Sequence, residues 1–183
     1  MQYIRGIENY KNERATAITL GKFDGLHQGH ELLIERVIAH QEKDGVDGVV
    51  FAFDMGAAHA LLTNQEKAER LRDRVKYFID CPFAEKIAHM EAELFIQEVL
   101  VGVFHASYIV VGTDFRFGHN RRGDVHMLEQ YSEQCGYHLE VIEKKQYHGR
   151  EISSTYIKEE LQKGNKELVN ILLGYDNFSR HRR

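Results

Sequence analysis

Ile18-Thr-Leu-Gly-Lys-Phe-Asp-Gly-Leu-His-Gln-Gly-His30 joins the end of an apolar run to two histidines three residues apart, through a turn holding Gly21, Gly25 and Gly29. Upstream, Ala17, Ile18 and Leu20 read as the end of a buried parallel strand. Downstream, Leu32, Leu33, Ile34, Val37 and Ile38 fall at helical spacing within residues 31–40. His27 and His30 are therefore predicted to stand where a strand turns into a helix.

Such a junction suits an anion, because the first helical turn carries unpaired backbone N–H groups and the positive end of the helix dipole. Each imidazole adds a hydrogen bond, or a positive charge, for phosphate oxygens. The glycines let the backbone turn sharply and approach a ligand. The competing reading is an ordinary strand-to-helix turn with two polar surface residues. The pairing of histidines, three glycines and Asp24 argues against it.

Further strand-like runs occupy residues 46–53, 106–112 and 137–142, and residues 77–83 include a short additional strand. Between them, helical patterns cover 65–79, 91–104, 124–136 and 154–163, with a last helix at 166–173. Strands alternating with helices imply an α/β domain with a mostly parallel sheet. In such sheets ligands gather at the carboxyl ends of the strands, near the reversal of strand order. The histidine loop, Asp54, residues 112–123 and residues 151–155 each follow a strand, and so are expected to converge on one crevice.

Val111-Gly-Thr-Asp-Phe-Arg-Phe-Gly118 leaves the third of these strands and mixes aromatic, acidic and basic side chains. Phe115 and Phe117 either stack on a planar heterocycle or plug the end of the sheet. Arg116, Arg121 and Arg122 are candidates for phosphate. Asp114 either accepts a hydrogen bond from a substrate or caps a turn. In Ile152-Ser-Ser-Thr-Tyr-Ile157, Ser153 or Ser154 is positioned to cap a helix while its neighbours face a phosphate, and Lys158 adds a charge one turn on.

The chain of 183 residues is long enough for one substantial core, and 43% hydrophobic with 28% charged residues is the balance of an ordinary globule. No apolar run approaches membrane-spanning length, and Met1 to Arg5 is no signal peptide, so a cytoplasmic protein without a membrane partner is expected. Cys81 and Cys135 have no metal or redox spacing and read as free thiols. A net charge of −4 argues against nucleic-acid binding. The basic stretch from Ser179 to Arg183 reads as a solvated tail.

Taken in order, Gly21-Lys-Phe-Asp-Gly-Leu-His-Gln-Gly-His30, Val111-Gly-Thr-Asp-Phe-Arg-Phe-Gly118 and Ile152-Ser-Ser-Thr-Tyr-Ile157 closely resemble the adenylyltransferase module of bacterial FAD synthetases, and the likeness runs on to Leu172-Leu-Gly-Tyr175. The resemblance implies a Rossmann-like nucleotidyltransferase domain over residues 1–176, with residues 177–183 as a tail. It implies transfer of AMP from ATP to FMN, giving FAD and pyrophosphate with magnesium. His27 and His30 are then the catalytic residues. Gly21, Phe23, Gly25, Ser153, Ser154, Thr155 and Lys158 form the ATP side, and Asp54, Asp114, Phe115 and Arg116 the flavin side. No metal ligands are assigned.

The family pattern is not matched throughout. Where the family has a Thr-Phe-Glu/Asp-Pro-His-Pro-like segment, this chain has Ala52-Phe-Asp-Met-Gly-Ala-Ala58, and His59 is out of register with the missing histidine. Lys158 stands where an arginine is common, which keeps the charge but loses the bidentate fork. The sequence ends soon after Gly174, leaving no room for a riboflavin kinase module. The alternatives are a nucleotidyltransferase with another phosphorylated acceptor, and a nucleotide- or flavin-binding homologue impaired in catalysis.

Overall fold

The computed structural model describes residues 1–54, 56, 60–82 and 85–178, with residues 85 and 86 described by their backbone alone. His59, most of the altered segment after Asp54 and the basic stretch from Ser179 lie outside the described residues.

Strand β1 (Gln2–Arg5) precedes β2 (Thr16–Gly21), helix α1 (Gln28–Lys43), β3 (Asp47–Asp54), α2 (Asn64–Leu71) and β4 (Tyr77–Pro82). Two short helices come next, α3 (Glu85–Ala88) and α4 (Ala92–Leu94), the second running into a π-helix over Phe95–Val103. Then come β5 (Ala106–Gly112), α5 (Val125–Cys135), β6 (His138–Ile142), the small antiparallel pair β7 (Gln146–Tyr147) and β8 (Arg150–Glu151), α6 (Ser154–Gln162) and α7 (Lys166–Leu173). The six main strands form one sheet in the order β1-β4-β3-β2-β5-β6, and every neighbouring pair is parallel.

Period-two alternation in the strands builds a core on each face. Ile18, Leu20, Val49, Phe51 and Ile79 pack with Phe95, Ile96, Val99 and Leu100 of the π-helix and Leu128 of α5. Ala17, Val50, Ala52 and Phe78 point the other way, onto Leu33, Ile34 and Val37 of α1 and Leu71 of α2. Phe51, Phe78 and Ile34 are fully buried, each contributing roughly 1.5–3 kcal/mol of apolar burial. Helices α6 and α7 form a third cluster around Ile157, Val169 and Leu172.

The expected α/β fold is present, with three departures. The helix read over residues 65–79 stops at Leu71, because Arg72 leaves helical geometry (ψ 138°) and Asp73 is left-handed (φ 63°). The chain then enters β4, a strand paired on both sides, between β1 and β3. Residues 2–5, which carried no strand expectation, supply the edge strand β1 by pairing with β4. The helix read over 91–104 exists but is π-wound for most of its length, as the Phe104 N–H to Val99 C=O bond of 3.0 Å shows.

Strands β3 and β4 lie on one side of β2, and β5 and β6 on the other. The reversal of strand order therefore falls between β2 and β5, where Gly21 and Gly112 end the two strands.

Candidate active site

A chamber of about 500 Å³ opens at that reversal. Gly21, Lys22, Phe23 and His30 line it from the β2 side, Gly112, Asp114, Phe115, Arg116 and Phe117 from the β5 side, and Phe53, Ile87 and Phe95 from the floor. Phe115 stacks on Phe117 (5.5 Å between centroids, 18° between planes), so one aromatic pair both plugs the sheet end and faces the cavity. The walls thus suit a planar heterocycle.

Local packing explains the histidine geometry. His27 is the N-cap of α1, and its Nδ1 accepts the backbone N–H of Gly29 (3.2 Å) and of His30 (3.4 Å). A Cβ on Gly29 would sit 3.1 Å from the His27 ring, so the small residue between the histidines leaves room for this cap. The helix end is accordingly not left open to an anion as the sequence suggested. The ring of His27 takes two of its donors, and His27 itself lines neither this chamber nor the second one beside it, whereas His30 lines the first.

His27 is 6% exposed, and burial pushes it from the usual 6.5 to about 4, with Asp24 opposing the shift. His30 stacks on His27 and tilts against Phe23, with centroids 3.6 Å and 5.0 Å apart. Burial, then His27 and Lys67, hold it well below the usual range. Both rings are neutral near pH 7, so the sequence's alternative of a resident positive charge gives way to neutral hydrogen-bonding rings. The Nδ1 atom of His30 is buried with no hydrogen-bond partner.

A second chamber of about 330 Å³, with charged side chains more densely set in its wall, adjoins the first, since Lys22 and Phe53 line both. It is walled by Asp24, Asp54, Asn64, Lys67 and Lys158. Asp54 accepts the Gly56 N–H (2.9 Å) and an Asn64 amide N–H (3.3 Å). Asp24 is the hub of the histidine loop. Its carboxylate accepts the Leu61 N–H (2.7 Å) and pairs with Lys158 (2.6 Å), while its carbonyl accepts the Ser154 hydroxyl (2.9 Å).

The carboxyl-terminal segment thus reaches the histidine loop, with a serine capping the helix as expected but with its neighbours turned away from both chambers. Ser153 caps α6 by accepting the Tyr156 N–H (3.2 Å), Ser154 braces Asp24, and Thr155 is exposed. None of the three lines either chamber: Ser153 is turned to the helix backbone, Ser154 to the Asp24 carbonyl and Thr155 to solvent. Gly25 also faces away from both chambers, toward Leu61 and Leu173, with its carbonyl accepting the Tyr175 hydroxyl (2.6 Å). The small β7–β8 pair intervenes between β6 and this segment, so residues 151–155 do not follow the last sheet strand directly.

Three charged residues of this loop are paired within the chain, Asp114 with Lys144 (2.8 Å), Arg116 with Asp124 (2.6 Å) and Arg122 with Glu91 (3.6 Å), whereas Arg121 lines the first chamber and has no ion pair among the described residues. Among the described residues no group of three or more His, Cys, Asp or Glu is arranged to hold a metal ion. Among the same residues no helix is long and apolar enough to cross a membrane.

Sequence reasoning passed over Lys22, Asn64, Lys67, Asp80 and Tyr175. The signals were available for two of them. Lys67 sits one turn before Leu71 on the buried stripe of α2, and Asp80 interrupts the apolar run of β4.

Comparison with known proteins agrees with this arrangement. A sequence model of the FAD synthetase family matches residues 9–156. The bifunctional riboflavin kinase/FMN adenylyltransferase of Escherichia coli is 29% identical over 187 residues, covering 96% of this chain and 60% of that protein. The Haemophilus influenzae protein of the same description is 30% identical over 185 residues, covering 95% and 60%. A putative bifunctional riboflavin kinase/FMN adenylyltransferase of Geobacillus thermodenitrificans is 29% identical over 168 residues, covering 87% and 90%. The chain therefore spans about 60% of the length of the first two relatives. In fold, it superposes on the crystal structure of a macrolide-efflux protein from Streptococcus pneumoniae with a TM-score of 0.83 at 24% identity, covering 96% of this chain and 62% of that one. With the first two motifs lining one chamber at the strand reversal, the third bracing the histidine loop through Ser154, and the family model spanning most of the sequence, this chain belongs to the FAD synthetase family.

Proposed function

We propose that this chain is an FMN adenylyltransferase, transferring AMP from ATP to FMN to give FAD and pyrophosphate. The observation that carries the reading is the aromatic chamber at the ends of β2 and β5, walled by His30 and floored by Phe53 and Phe95. A flavin or adenine ring is matched by such walls, and the stacked imidazoles stand beside it.

In this reading a phosphate oxygen of FMN attacks the α-phosphorus of ATP in line, the bond to the β-phosphate breaks, and pyrophosphate leaves with that electron pair. No covalent enzyme intermediate is needed, so positioning and charge stabilisation carry the rate. His27 and His30 hydrogen-bond the phosphoryl oxygens as negative charge builds. Each contact of this kind contributes on the order of 3 kcal/mol.

Lys158 reaches phosphate by exchanging its bond to Asp24. Gly21 and Phe23 line the nucleotide pocket, while Gly25, Ser153 and Ser154 act from behind by holding the loop, and Thr155 stays at the rim. Asp54, Asp114, Phe115 and Arg116 serve the acceptor side. Magnesium enters as part of the Mg–ATP substrate, consistent with its habit of binding through phosphates and one or two carboxylates. The site of action is the cytoplasm, where both substrates are at hand.

The test is incubation with FMN, ATP and magnesium, followed by chromatography. FAD and pyrophosphate in equal amounts are expected, and folded protein that forms neither rejects the reading. A second reading, adenylyl transfer to a different phosphorylated acceptor, is favoured by the Ala52 to Ala58 stretch, which lacks the proline and histidine of the family pattern. Pyrophosphate release with another acceptor but not with FMN selects it.

A further inference from the structure

The chamber beside the aromatic one contains a buried cation that makes no direct ion pair among the described residues. Lys67 is 6% exposed and lines this chamber. Its ammonium donates one hydrogen bond, to Asn64 Oδ1 at 3.1 Å, and forms no ion pair among the described residues. Two of its three N–H donors are thus left over. Burying a charge this way is costly unless a partner arrives.

The surroundings hold this ammonium in place and offset its charge from a distance, without a carboxylate in direct contact among the described residues. The Asn64 amide donates to both Asp80 (2.9 Å) and Asp54 (3.3 Å), which turns its oxygen toward Lys67. Asp80 is fully buried, is fixed by the Tyr3 hydroxyl (2.7 Å) and Arg5 (3.9 Å), and keeps one oxygen without a partner. The other carboxylates of the chamber are committed elsewhere: Asp24 to Lys158 and the Leu61 N–H, Asp54 to Gly56 and Arg5. Lys22 lies at the junction of the two chambers. Burial lowers the Lys67 pKa, and the fields of Asp24, Asp80 and Asp54 act against that shift.

We propose that this second chamber receives a phosphate group of a substrate, and that Lys67, aimed by the Asp80–Asn64 pair, is the residue that discriminates a phosphorylated ligand from its unphosphorylated counterpart. An ammonium with spare donors meets phosphate oxygens well, and Lys22 and Lys158 add charge as the ligand enters. The choice of substrates rests on the adenylyltransferase reading. Two sources of the phosphate are open to the chemistry, the acceptor and ATP.

The experiment is equilibrium binding of FMN against riboflavin, and of ATP against adenosine, to the wild-type chain and to Lys67→Met and Lys67→Gln. The unphosphorylated ligands report whether each variant still folds around its ring pocket. Loss of one charge-assisted contact weakens the phosphorylated ligand roughly tenfold or more, while riboflavin and adenosine bind as before. A loss confined to FMN assigns the acceptor's phosphate, and one confined to ATP assigns the nucleotide's. Equal loss for a ligand and its unphosphorylated counterpart, or no loss in either variant, overturns the proposal. FAD formation by the wild type is scored separately. Phosphate discrimination that depends on Lys67 without FAD formation removes the adenylyltransferase reading and keeps this one. FAD formation with unchanged discrimination in both variants does the reverse.

Discussion

His27 and His30 lie ring on ring, with centroids 3.6 Å apart and planes 19° from parallel, and the backbone N–H of the second is held by the imidazole of the first. One side chain therefore ends the helix that carries its neighbour and, in the adenylyltransferase reading, offers its Nε2 to phosphate. Both rings must be neutral for the arrangement to persist, because His27 Nδ1 accepts hydrogen bonds and two stacked imidazolium ions repel.

Stability is expected to depend on this neutrality. The His27 pKa in the fold is about 4 against 6.5 ordinarily, so between these values the unfolded chain binds more protons. The stabilisation is full above pH 6.5 and is lost as pH falls toward 4, amounting for His27 to roughly 3 kcal/mol at most. Urea midpoints measured from pH 7.5 to 4.5 should fall below about 6.5 in the wild type, and more shallowly in His27→Asn. Identical slopes for the two proteins would show that the ring accepts a proton in place.

Capping and catalysis can be separated at the same residue. Asparagine is a strong N-cap, so His27→Asn keeps most of the helix stability, whereas His27→Ala loses about 1 kcal/mol. Turnover should drop about a hundredfold in both, since neither offers the imidazole Nε2. Thermal melts alongside kcat measure the split. If asparagine restores turnover together with stability, His27 is a helix cap and nothing more.

The fold and the histidine loop were legible because each rests on local pattern: apolar runs for strands, helical spacing after His27, and glycines at the turn. Strand β1 was not, since Tyr3 and Ile4 become a strand only through their pairing with Phe78 and Ile79. The end of α2 was missed because Leu71, Val75 and Phe78 continue a helix-like rhythm, although they all enter one cluster from different elements. Of Ser153, Ser154 and Thr155, the helix cap was legible in the sequence, whereas the direction of the Ser154 hydroxyl was not, because it is decided by Asp24 across 130 residues of sequence. Lys67 has a near partner in Asn64, but what sets it apart is the chamber it shares with Asp24 and Lys158, which are distant in the chain.

The histidine loop is braced from the carboxyl-terminal end of the described chain. Tyr175 donates its hydroxyl to the Gly25 carbonyl at 2.6 Å while the Arg70 guanidinium covers its ring at 3.4 Å. Tyr175→Phe keeps the ring contact and removes the bond, at about 1 kcal/mol. Gly25→Ala is harsher. Gly25 has φ +86°, and a Cβ there would lie 2.8 Å from Leu61 Cδ1. A loss of roughly 2–4 kcal/mol and of most activity is expected. A melting temperature unchanged in Gly25→Ala contradicts the packing described.

The Asp24–Lys158 pair yields the sharpest expectation, because in the adenylyltransferase reading the same carboxylate that steadies the loop competes with phosphate for the lysine. Asp24 is 16% exposed at its side chain and Lys158 is 34% exposed, with 2.6 Å between their charged atoms. Asp24→Asn keeps an oxygen for the Leu61 N–H but gives up the charge, freeing Lys158 for the incoming nucleotide. The KM for ATP should fall severalfold, with a stability loss of about 1 kcal/mol. Asp24→Ala also abandons the Leu61 contact, so the loop slackens and both KM and kcat worsen. Lys158→Met leaves the carboxylate unpaired beside the phosphates and should raise the KM for ATP about tenfold or more. Steady-state kinetics on the three variants decide the matter, and an ATP KM that rises in Asp24→Asn as it does in Lys158→Met means that the pair serves the fold alone.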